Sequence, residues 1–376
     1  MKSIISYLFF FVCSCIFMAC NPQKKGNENS YLPSDKKATK ETIKLFSNLK
    51  DQLEKGIMLG HQDDLAYGNK WYGEPGRSDV KTVCGDYPAV FEWNLGNFET
   101  GSAYNSDSIS FIKLKKYIQI VNKLNGISIF RWTASDPQLA IQSQQTNIHS
   151  AGLILQNKTV REKYVVYLDK IADFFNSLKD KEGKYIPIVF EPFNDYNMIG
   201  KYWWSTNQCT ESEYKKLWVF TVDYLRNSKG VHHVLYSYSI YADSCTNTFT
   251  KYYPGNDYVD LVGVSLYLNQ DKDPSGKNYV QILNKNLAIV TQFAEKNNKI
   301  ASLTNTGMEG IKIPDYFSNY LYPTVSRYKL SYIMFGKNAW NNEKQYFIPV
   351  PGHPASEDFL SFSKNPRILT CSKISL

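Results

Sequence analysis

Eight short apolar runs, most of them separated by segments of helical period, constrain the fold of this chain more than any other feature. The runs are nearly continuous in apolar residues, as expected of parallel strands that are buried on both faces. They cover residues 56–62, 89–94, 126–132, 185–191, 232–239, 259–267, 300–303 and 332–335. The alternation predicts an α/β fold, a single-domain (β/α)8 TIM barrel.

An open, doubly wound sheet is the structural alternative. That fold favours a glycine-rich phosphate loop after the first strand, and the residues after the first run, His61-Gln62-Asp63-Asp64, do not form one. Helical periods outside the runs support the barrel. A helix is predicted at about residues 38–55, and Thr210 with Glu213 has the spacing of a capping box that opens another.

The first nineteen residues have the composition of an export signal. Lys2 precedes an apolar run over residues 4–19, and Cys20 follows the tripeptide Phe-Met-Ala. This order resembles a bacterial lipoprotein signal (1–19) with a lipidated Cys20; a plain secretory signal or a signal anchor is the alternative. Residues 20–35 predict a flexible polar tether and residues 36–376 the barrel. We expect an exported protein, anchored by its lipid to a membrane at the bacterial cell surface or in the periplasm.

The composition excludes several functional classes. The formal charge is +8, yet the cations form no compact basic stripe and no nucleic-acid-binding motif is present, so no nucleic-acid partner is predicted. Without the signal, four cysteines remain beside Cys20: Cys84, Cys209, Cys245 and Cys371. They show no metal-ligand spacing, so we predict no metal and no cofactor. One or two disulfides are compatible with export, and the sequence leaves their pairing open.

Aromatic and amide side chains follow most of the predicted strands. In a barrel, residues at the carboxyl ends of the strands form the floor of the active site. The candidate binding residues are His61, Trp93, Asn94, Trp132, Asn194, Trp203, Trp204, Tyr267 and Trp340. Because aromatic rings stack on sugar faces and amides pair with hydroxyls, this set predicts a cleft for a polysaccharide or oligosaccharide.

Several segments of the chain, spread over nearly all of the mature domain, resemble glycoside hydrolase family 26, the β-mannanases. The similar segments lie at residues 59–68 (LGHQDDLAYG), 88–93 (PAVFEW), 202–204 (YWW), 213–218 (EYKKLW) and 262–264 (VGV). The resemblance implies a TIM barrel and a β-mannan-type substrate. It also implies catalytic glutamates at the ends of the fourth and seventh strands, as a retaining mechanism requires.

Both of those glutamates are replaced in this chain. Where the family carries Arg-Pro-Phe-His-Glu, the fourth strand has Glu191-Pro-Phe-Asn194-Asp195. Where the family carries Thr-Glu-x-Gly, the seventh has Thr304-Asn305-Thr-Gly. Asp195 therefore occupies the acid/base position and Asn305 the nucleophile position. Other strand-end residues depart from the family as well: Asn94, Asn97, Thr133, Ser265 and Phe335.

These replacements argue against ordinary retaining hydrolysis. An aspartate withdraws its carboxyl by roughly 1–1.5 Å relative to a glutamate, and a misplacement of about 1 Å can cost on the order of 100-fold in rate. The amide of Asn305 cannot supply an anionic nucleophile. Glu309 is expected to be solvated in a loop. On an ideal strand, Glu191 lies about 13 Å from Asp195, which predicts weak coupling between them.

Two hypotheses follow. The first is a β-mannanase-like protein that binds β-mannan-type polysaccharide and is catalytically impaired. The alternative is an active endo-β-1,4-mannanase, or a related β-glycan hydrolase, with an altered mechanism.

Overall fold

The computed structural model describes residues 31–139, 149–243 and 248–374. It contains a closed barrel of parallel strands, which confirms the predicted (β/α)8 architecture. The barrel strands are β1 (Ile57–Gln62), β2 (Val90–Asn94), β3 (Ile127–Arg131), β4 (Ile188–Glu191), β5 (Val234–Tyr241), β6 (Leu261–Tyr267), β7 (Ile300–Gly307) and β8 (Tyr332–Phe335). Each strand pairs with the next in chain order, and β8 pairs with β1 to close the barrel.

Helices surround the strands. Their bounds are α1 (Lys40–Lys55), α2 (Asp79–Cys84), α3 (Phe111–Lys123), α4 (Ser150–Gln156), α5 (Lys158–Asn176), α6 (Glu211–Asp223), α7 (Thr248–Lys251), α8 (Lys277–Lys296), α9 (Tyr322–Val325) and α10 (Ser356–Lys364). The predicted capping box at the start of α6 is present, because the Thr210 hydroxyl accepts from the Glu213 amide and the Glu213 carboxylate accepts from the Thr210 amide. This arrangement satisfies two amides that have no partner inside the helix.

Helix α1 closes the end of the barrel at which the strands begin. Its apolar face carries Leu45, Phe46 and Leu49, which belong to one buried cluster with the first residues of the strands, including Met58 and Ile300. The burial of this face explains why a short amphipathic helix forms here, since packing supplies most of a helix's stability. The opposite end of the barrel, where the strands end, is not covered by α1 and is surrounded by the loops that follow the strands.

Strand β7 extends further than the sequence predicts. The prediction ends at Leu303, but the strand continues to Gly307. Val264 pairs with Leu303 and Ser265 pairs with Asn305, so Thr304 is an extra residue in a β-bulge. The polar residues of this extension are buried. Because a buried parallel strand is usually apolar, their polarity hid the extension from a search for apolar runs. Bulges often redirect side chains near functional sites.

The last residues of the predicted tether are held against the barrel. The Ser34 amide donates to the Asp260 carboxylate, and Asp35 accepts from His232 over 2.8 Å. Residues 34 and 35 therefore contact the barrel directly. The chain from Tyr31 onward forms a compact unit by itself. The predicted signal, Cys20 and the tether up to residue 30 lie outside the described residues. Among the residues that are described, no helix has the length and apolar character needed to cross a membrane.

The C-terminal region divides between the two ends of the barrel. The sequence predicts that residues 345–365 close the barrel bottom or pack beside the last helix. Helix α10 does pack beside the preceding helical segment, with Phe362 on Tyr322 of α9, whereas Phe347 packs on Tyr267 at the carboxyl ends of the strands, with ring centroids 5.2 Å apart. Beyond α10, Ile368 and Leu369 add a short parallel strand beside β1. Cys84, Cys209 and Cys371 are free thiols, and Cys245 lies outside the described residues.

Candidate active site

The open end of the barrel has Arg131 at its centre, bound to three carboxylates. Its guanidinium lies 3.2 Å from Glu191, 3.3 Å from Asp195 and 3.7 Å from Glu92. The three acids are almost fully buried, and the arginine side chain is 16% exposed. One planar guanidinium thus joins strand β2, strand β4 and the loop after β4. Its fixed fork of donors suits several carboxylates at once.

Asp195, at the acid/base position, uses both carboxylate oxygens inside the protein. Its Oδ1 accepts from the Ser265 hydroxyl at 2.6 Å. Its Oδ2 accepts from the Asn194 amide at 3.0 Å and from Arg131 at 3.3 Å. The backbone of Asp195 has φ +49°, a left-handed conformation that asparagine and aspartate tolerate better than most residues. The carboxylate is therefore fixed as an acceptor within the floor.

Asn305, at the nucleophile position, is held from both ends of its amide. Its Oδ1 accepts from the Tyr267 hydroxyl at 2.6 Å. Its Nδ2 donates to Glu92, at 3.2 Å from the nearer carboxylate oxygen. Only 1% of Asn305 is exposed. The amide joins a tyrosine donor to a carboxylate acceptor, which an ionised glutamate at the same position could not do because it has no proton to donate.

Glu92 is a site residue that the sequence analysis did not select. It lies in β2, inside a run that is otherwise apolar, and is 2% exposed. An acid in a strand buried on both faces carries a signal of its own, because buried carboxylates almost always have partners. A buried acid within a strand is a weaker indication of a site residue than a polar residue at a strand end, because it does not show whether the side chain points to the barrel axis or to the helices.

The two deepest acids hold protons more tightly than free glutamate. Burial raises the pKa of Glu92 to about 7, against a lowering effect of Arg131 and a further raising effect of Glu191. Burial likewise raises the pKa of Glu191 to about 7, with Arg131 opposing and Asp195 adding to it. Burial disfavours the charged form of Arg131, but its carboxylate neighbours raise its pKa well above the ordinary value. The arginine therefore stays charged while the acids titrate around it.

The expectation that Glu191 and Asp195 are only weakly coupled is wrong. A straight strand would separate them by about 13 Å, but β4 ends at Glu191 and the chain turns through Pro192 to Asp195. Both carboxylates bind Arg131, and the negative charge of Asp195 raises the pKa of Glu191. The two residues belong to one electrostatic network.

Three of the predicted sugar-binding indoles expose no ring in this structure. Trp93 stacks between Phe91 and Tyr117 of α3, and Trp132 stacks on Tyr164 of α5. Trp204 stacks on Tyr202. All three are fully buried. Strand-end spacing could not distinguish side chains that face the helices from those that face the cleft, because alternate residues of a strand point to opposite sides.

The other predicted binding residues lie at or near the open end. His61 is buried and bonds to Asp64 at 2.6 Å. The Asn94 amide donates to Thr133, and the Asn194 amide contacts Asp195 and Tyr202. Trp203 is partly buried, with its Nε1 donating to the Ala134 carbonyl. Trp340 is 41% exposed beside Tyr72, with 5.2 Å between the ring centroids.

A groove of about 720 Å³ begins at Tyr267 and runs between the loops after β6, β7 and β8. Its walls include Glu309, Lys344, Tyr346 and Phe347. Glu309 is exposed in a short turn, as the sequence predicts. Tyr267 lines this groove and also donates to Asn305, so the groove begins beside the residue at the nucleophile position. Within the part of the chain that the structure describes, no cluster of three or more His, Cys, Asp or Glu residues could hold a metal ion.

The closed barrel, with an acid-rich floor and aromatic walls at its strand ends, has the architecture of a glycoside hydrolase. The family model of glycosyl hydrolase family 26 matches residues 34–324, and the chain belongs to that family.

Among curated proteins, the chain is similar to a mannan endo-1,4-β-mannosidase from Bifidobacterium adolescentis, at 29% identity over 78% of this chain. The match spans only 29% of that relative's length. A mannan endo-1,4-β-mannosidase from Bacillus subtilis strain 168 is 23% identical, over 76% of this chain and 79% of the relative.

Solved structures show the same likeness. A family 26 β-mannanase from Bacteroides ovatus superposes with a TM-score of 0.83 at 36% identity, covering 89% of this chain and 96% of that one. A family 26 protein from a Muricauda species has a TM-score of 0.82 at 28% identity, covering 93% and 96%.

Proposed function

We propose that this chain binds β-mannan-type polysaccharide in a family 26 cleft and is impaired in retaining hydrolysis. The main support for this proposal is the bonding of the Asn305 side chain. Its amide is buried and bonded at both ends, to Tyr267 and to Glu92. A retaining enzyme needs a free carboxylate at this point, about 5–5.5 Å from the acid/base carboxyl.

The state of Asp195 supports the same conclusion. A general acid must present its proton to the leaving oxygen of the substrate. Here Ser265, Asn194 and Arg131 all donate to the carboxylate, so both of its oxygens are already bonded inside the protein. Asp195 is therefore better suited to holding the floor rigid than to protonating a glycosidic oxygen.

Binding surfaces for sugar remain. Tyr267 and Trp203 are partly exposed near the centre, and Trp340 is exposed at the rim. The adjoining groove has room for more than one sugar ring and mixes aromatic walls with carboxylate, lysine and amide side chains. The mannan-type ligand is proposed because the curated relatives carry the name mannan endo-1,4-β-mannosidase. We further propose export and lipid attachment at Cys20, on the strength of the N-terminal sequence.

One observation favours the alternative, an active β-glycan hydrolase with an altered mechanism. Glu92 accepts a hydrogen bond from Asn305, so a carboxylate is in direct contact with the side chain at the nucleophile position. Its pKa, raised to about 7, is in the range useful to a general base. An inverting mechanism would need this carboxyl to activate water from the side opposite an acid.

The two hypotheses are separated by measuring binding and cleavage on the same samples. The chain from Asn21 onward, without the predicted lipidated Cys20, is incubated with mannan, glucomannan and mixed-linkage glucan. Affinity electrophoresis reports binding, and a reducing-end assay reports cleavage. We expect retarded migration in mannan gels without new reducing ends.

Two variants sharpen the result. Turnover that is abolished by Glu92→Gln and kept in Glu162→Gln, an exposed glutamate on α5, would establish the alternative and refute the binding proposal. Absence of binding to any of the three glycans, in a protein that is folded by circular dichroism, would refute the substrate class.

A further inference from the structure

Folding gathers exposed cations at the end of the barrel where the strands begin, which we call the amino-terminal face. It consists of α1, the residues that lead into it, and the turns that enter the strands. Five lysines on or beside α1 are exposed there: Lys36, Lys37, Lys40, Lys44 and Lys55. Because the apolar side of α1 is buried against the strand starts, these side chains point away from the barrel.

The turns that enter the strands add to the same face. Their exposed cations include Lys123 before β3, Lys179 and Lys184 before β4, Lys296 before β7, Arg327 before β8, and Arg367 before the short strand beside β1. These residues are far apart in sequence. They form no basic stripe in the linear chain, and only the barrel topology brings them to one end.

Acidic side chains do not balance this face. The exposed acids on the same elements are fewer: Asp51, Glu54, Glu182, Asp257 and Glu295. One further exposed lysine of this face, Lys329 before β8, is paired with Glu54. Cations still outnumber acids on these elements, so the amino-terminal face carries a net positive charge.

The N-terminal segment is fastened to this same face. Asp35 bonds to His232 at the start of β5, and Arg226 donates to the Ser34 hydroxyl at 2.6 Å. The chain therefore reaches the domain at its basic end. Between Cys20 and Tyr31, the polypeptide spans at most about 40 Å even when fully extended. A lipid at Cys20 would keep the amino-terminal face within that distance of a bilayer.

We propose that the amino-terminal face is a docking surface for an anionic phospholipid bilayer, and that the cleft then faces away from the membrane. Basic residues near a membrane surface are attracted by anionic headgroups, and this attraction is lost beyond a Debye length of about 8 Å at physiological salt. The attachment of Ser34 and Asp35 orients the domain so that the exposed lysines meet the headgroups first. A glycan approaching from outside would then meet the open end of the barrel.

The test uses the chain from Asn21 onward, without the predicted lipidated Cys20, so that only the surface contributes. Its sedimentation with vesicles of phosphatidylcholine containing phosphatidylglycerol is compared with that on pure phosphatidylcholine. We expect binding only to the anionic vesicles, weakening as salt is raised.

Two charge-reversal variants locate the surface. Lys36→Glu, Lys37→Glu and Lys40→Glu change the amino-terminal face, and the acid at the first position of α1 suits the helix dipole. Lys116→Glu, Lys216→Glu and Lys285→Glu make the same change of charge on α3, α6 and α8, around the belt of the barrel. The first triple variant should weaken vesicle binding by at least about tenfold, and the second by far less.

A footprint gives an independent readout. A membrane-impermeant amine-acylating reagent, followed by mass spectrometry, should label Lys40 and Lys44 less in the vesicle-bound protein than in the free protein. Labelling of Lys116 and Lys216 should be unchanged. Equal weakening by both triple variants, equal labelling of both sets, or tighter binding to soluble dextran sulfate than to the vesicles would overturn the proposal.

Discussion

Glu92→Gln should change the pH dependence of stability in a direction that the site's geometry fixes. The substitution keeps the shape of the side chain and an oxygen that can accept from Asn305, while removing the titrating proton. In the folded protein the pKa of Glu92 is raised from 4.5 to about 7. The folded state therefore binds this proton more tightly than the unfolded state.

The sign of the effect follows from that difference. The stability contributed by the protonated carboxyl is complete below about pH 4.5 and is lost as the pH rises through about 7. A difference of that size corresponds to about 3 kcal/mol, taking about 1.4 kcal/mol for each pKa unit. Because Glu92 and Glu191 share Arg131, their protons leave as a coupled pair, and the figure is an upper bound for either one.

Urea unfolding at pH 5, 6, 7 and 8 measures the effect (pH values chosen to run from about two units below the raised pKa to about one unit above it). At pH 5 the variant should match the parent to within about 1 kcal/mol. At pH 8 it should be more stable than the parent, by up to about 3 kcal/mol. Glu162→Gln, on the exposed side of α5, should show no such trend. A difference between Glu92→Gln and the parent that stays constant across the pH range would refute the raised pKa and the network on which it depends.

Further predictions concern the rest of the site. Arg131→Met leaves three acids without their counter-ion, so the free energy of unfolding at pH 8 should fall by about 3–5 kcal/mol, and by less at pH 5, in urea titrations. Tyr267→Phe removes the donor to buried Asn305 and should cost about 1–3 kcal/mol of stability by thermal unfolding, whereas Tyr104→Phe, at an exposed position, serves as the control. Trp340→Ala should lower mannan affinity in gels without shifting Tm, while Trp93→Ala, buried against α3, should cost about 3–5 kcal/mol. Asp195→Glu with Asn305→Glu should stay inactive in the reducing-end assay, because the new glutamate at 305 would lie beside Glu92; recovery of cleavage in this double variant would contradict the account of the site.

The barrel could be predicted from the sequence because its strands are buried on both faces and read as apolar runs. The extension of β7 could not, since Thr304, Asn305 and Thr306 are polar residues buried by contacts with other strands. The capping box of α6 was predictable for the opposite reason, because both of its partners lie within one helical turn.

The candidate site was predictable only in part. Asp195 and Asn305 could be placed at strand ends by position and by resemblance. The network around Arg131 could not be, because it depends on which side chains of β2, β3 and β4 point to the barrel axis and on a turn that brings Asp195 back towards Glu191. The burial of Trp93 and Trp132 could not be predicted for the same reason. Alternation along a strand shows which residues share a face, but not whether that face points to the barrel axis or to the helices.

The charges around Arg131 have a consequence for any attempt to restore the family pattern in this chain. Relative to the family pattern, an arginine is absent from position 191 and a glutamate stands there, facing Arg131. A single reversion of Glu191 to arginine would put two guanidinium groups together, and a single reversion of Asn305 to glutamate would put two carboxylates together. Each single exchange is therefore expected to destabilise the fold, so restoring the family pattern requires that contacting residues be exchanged together.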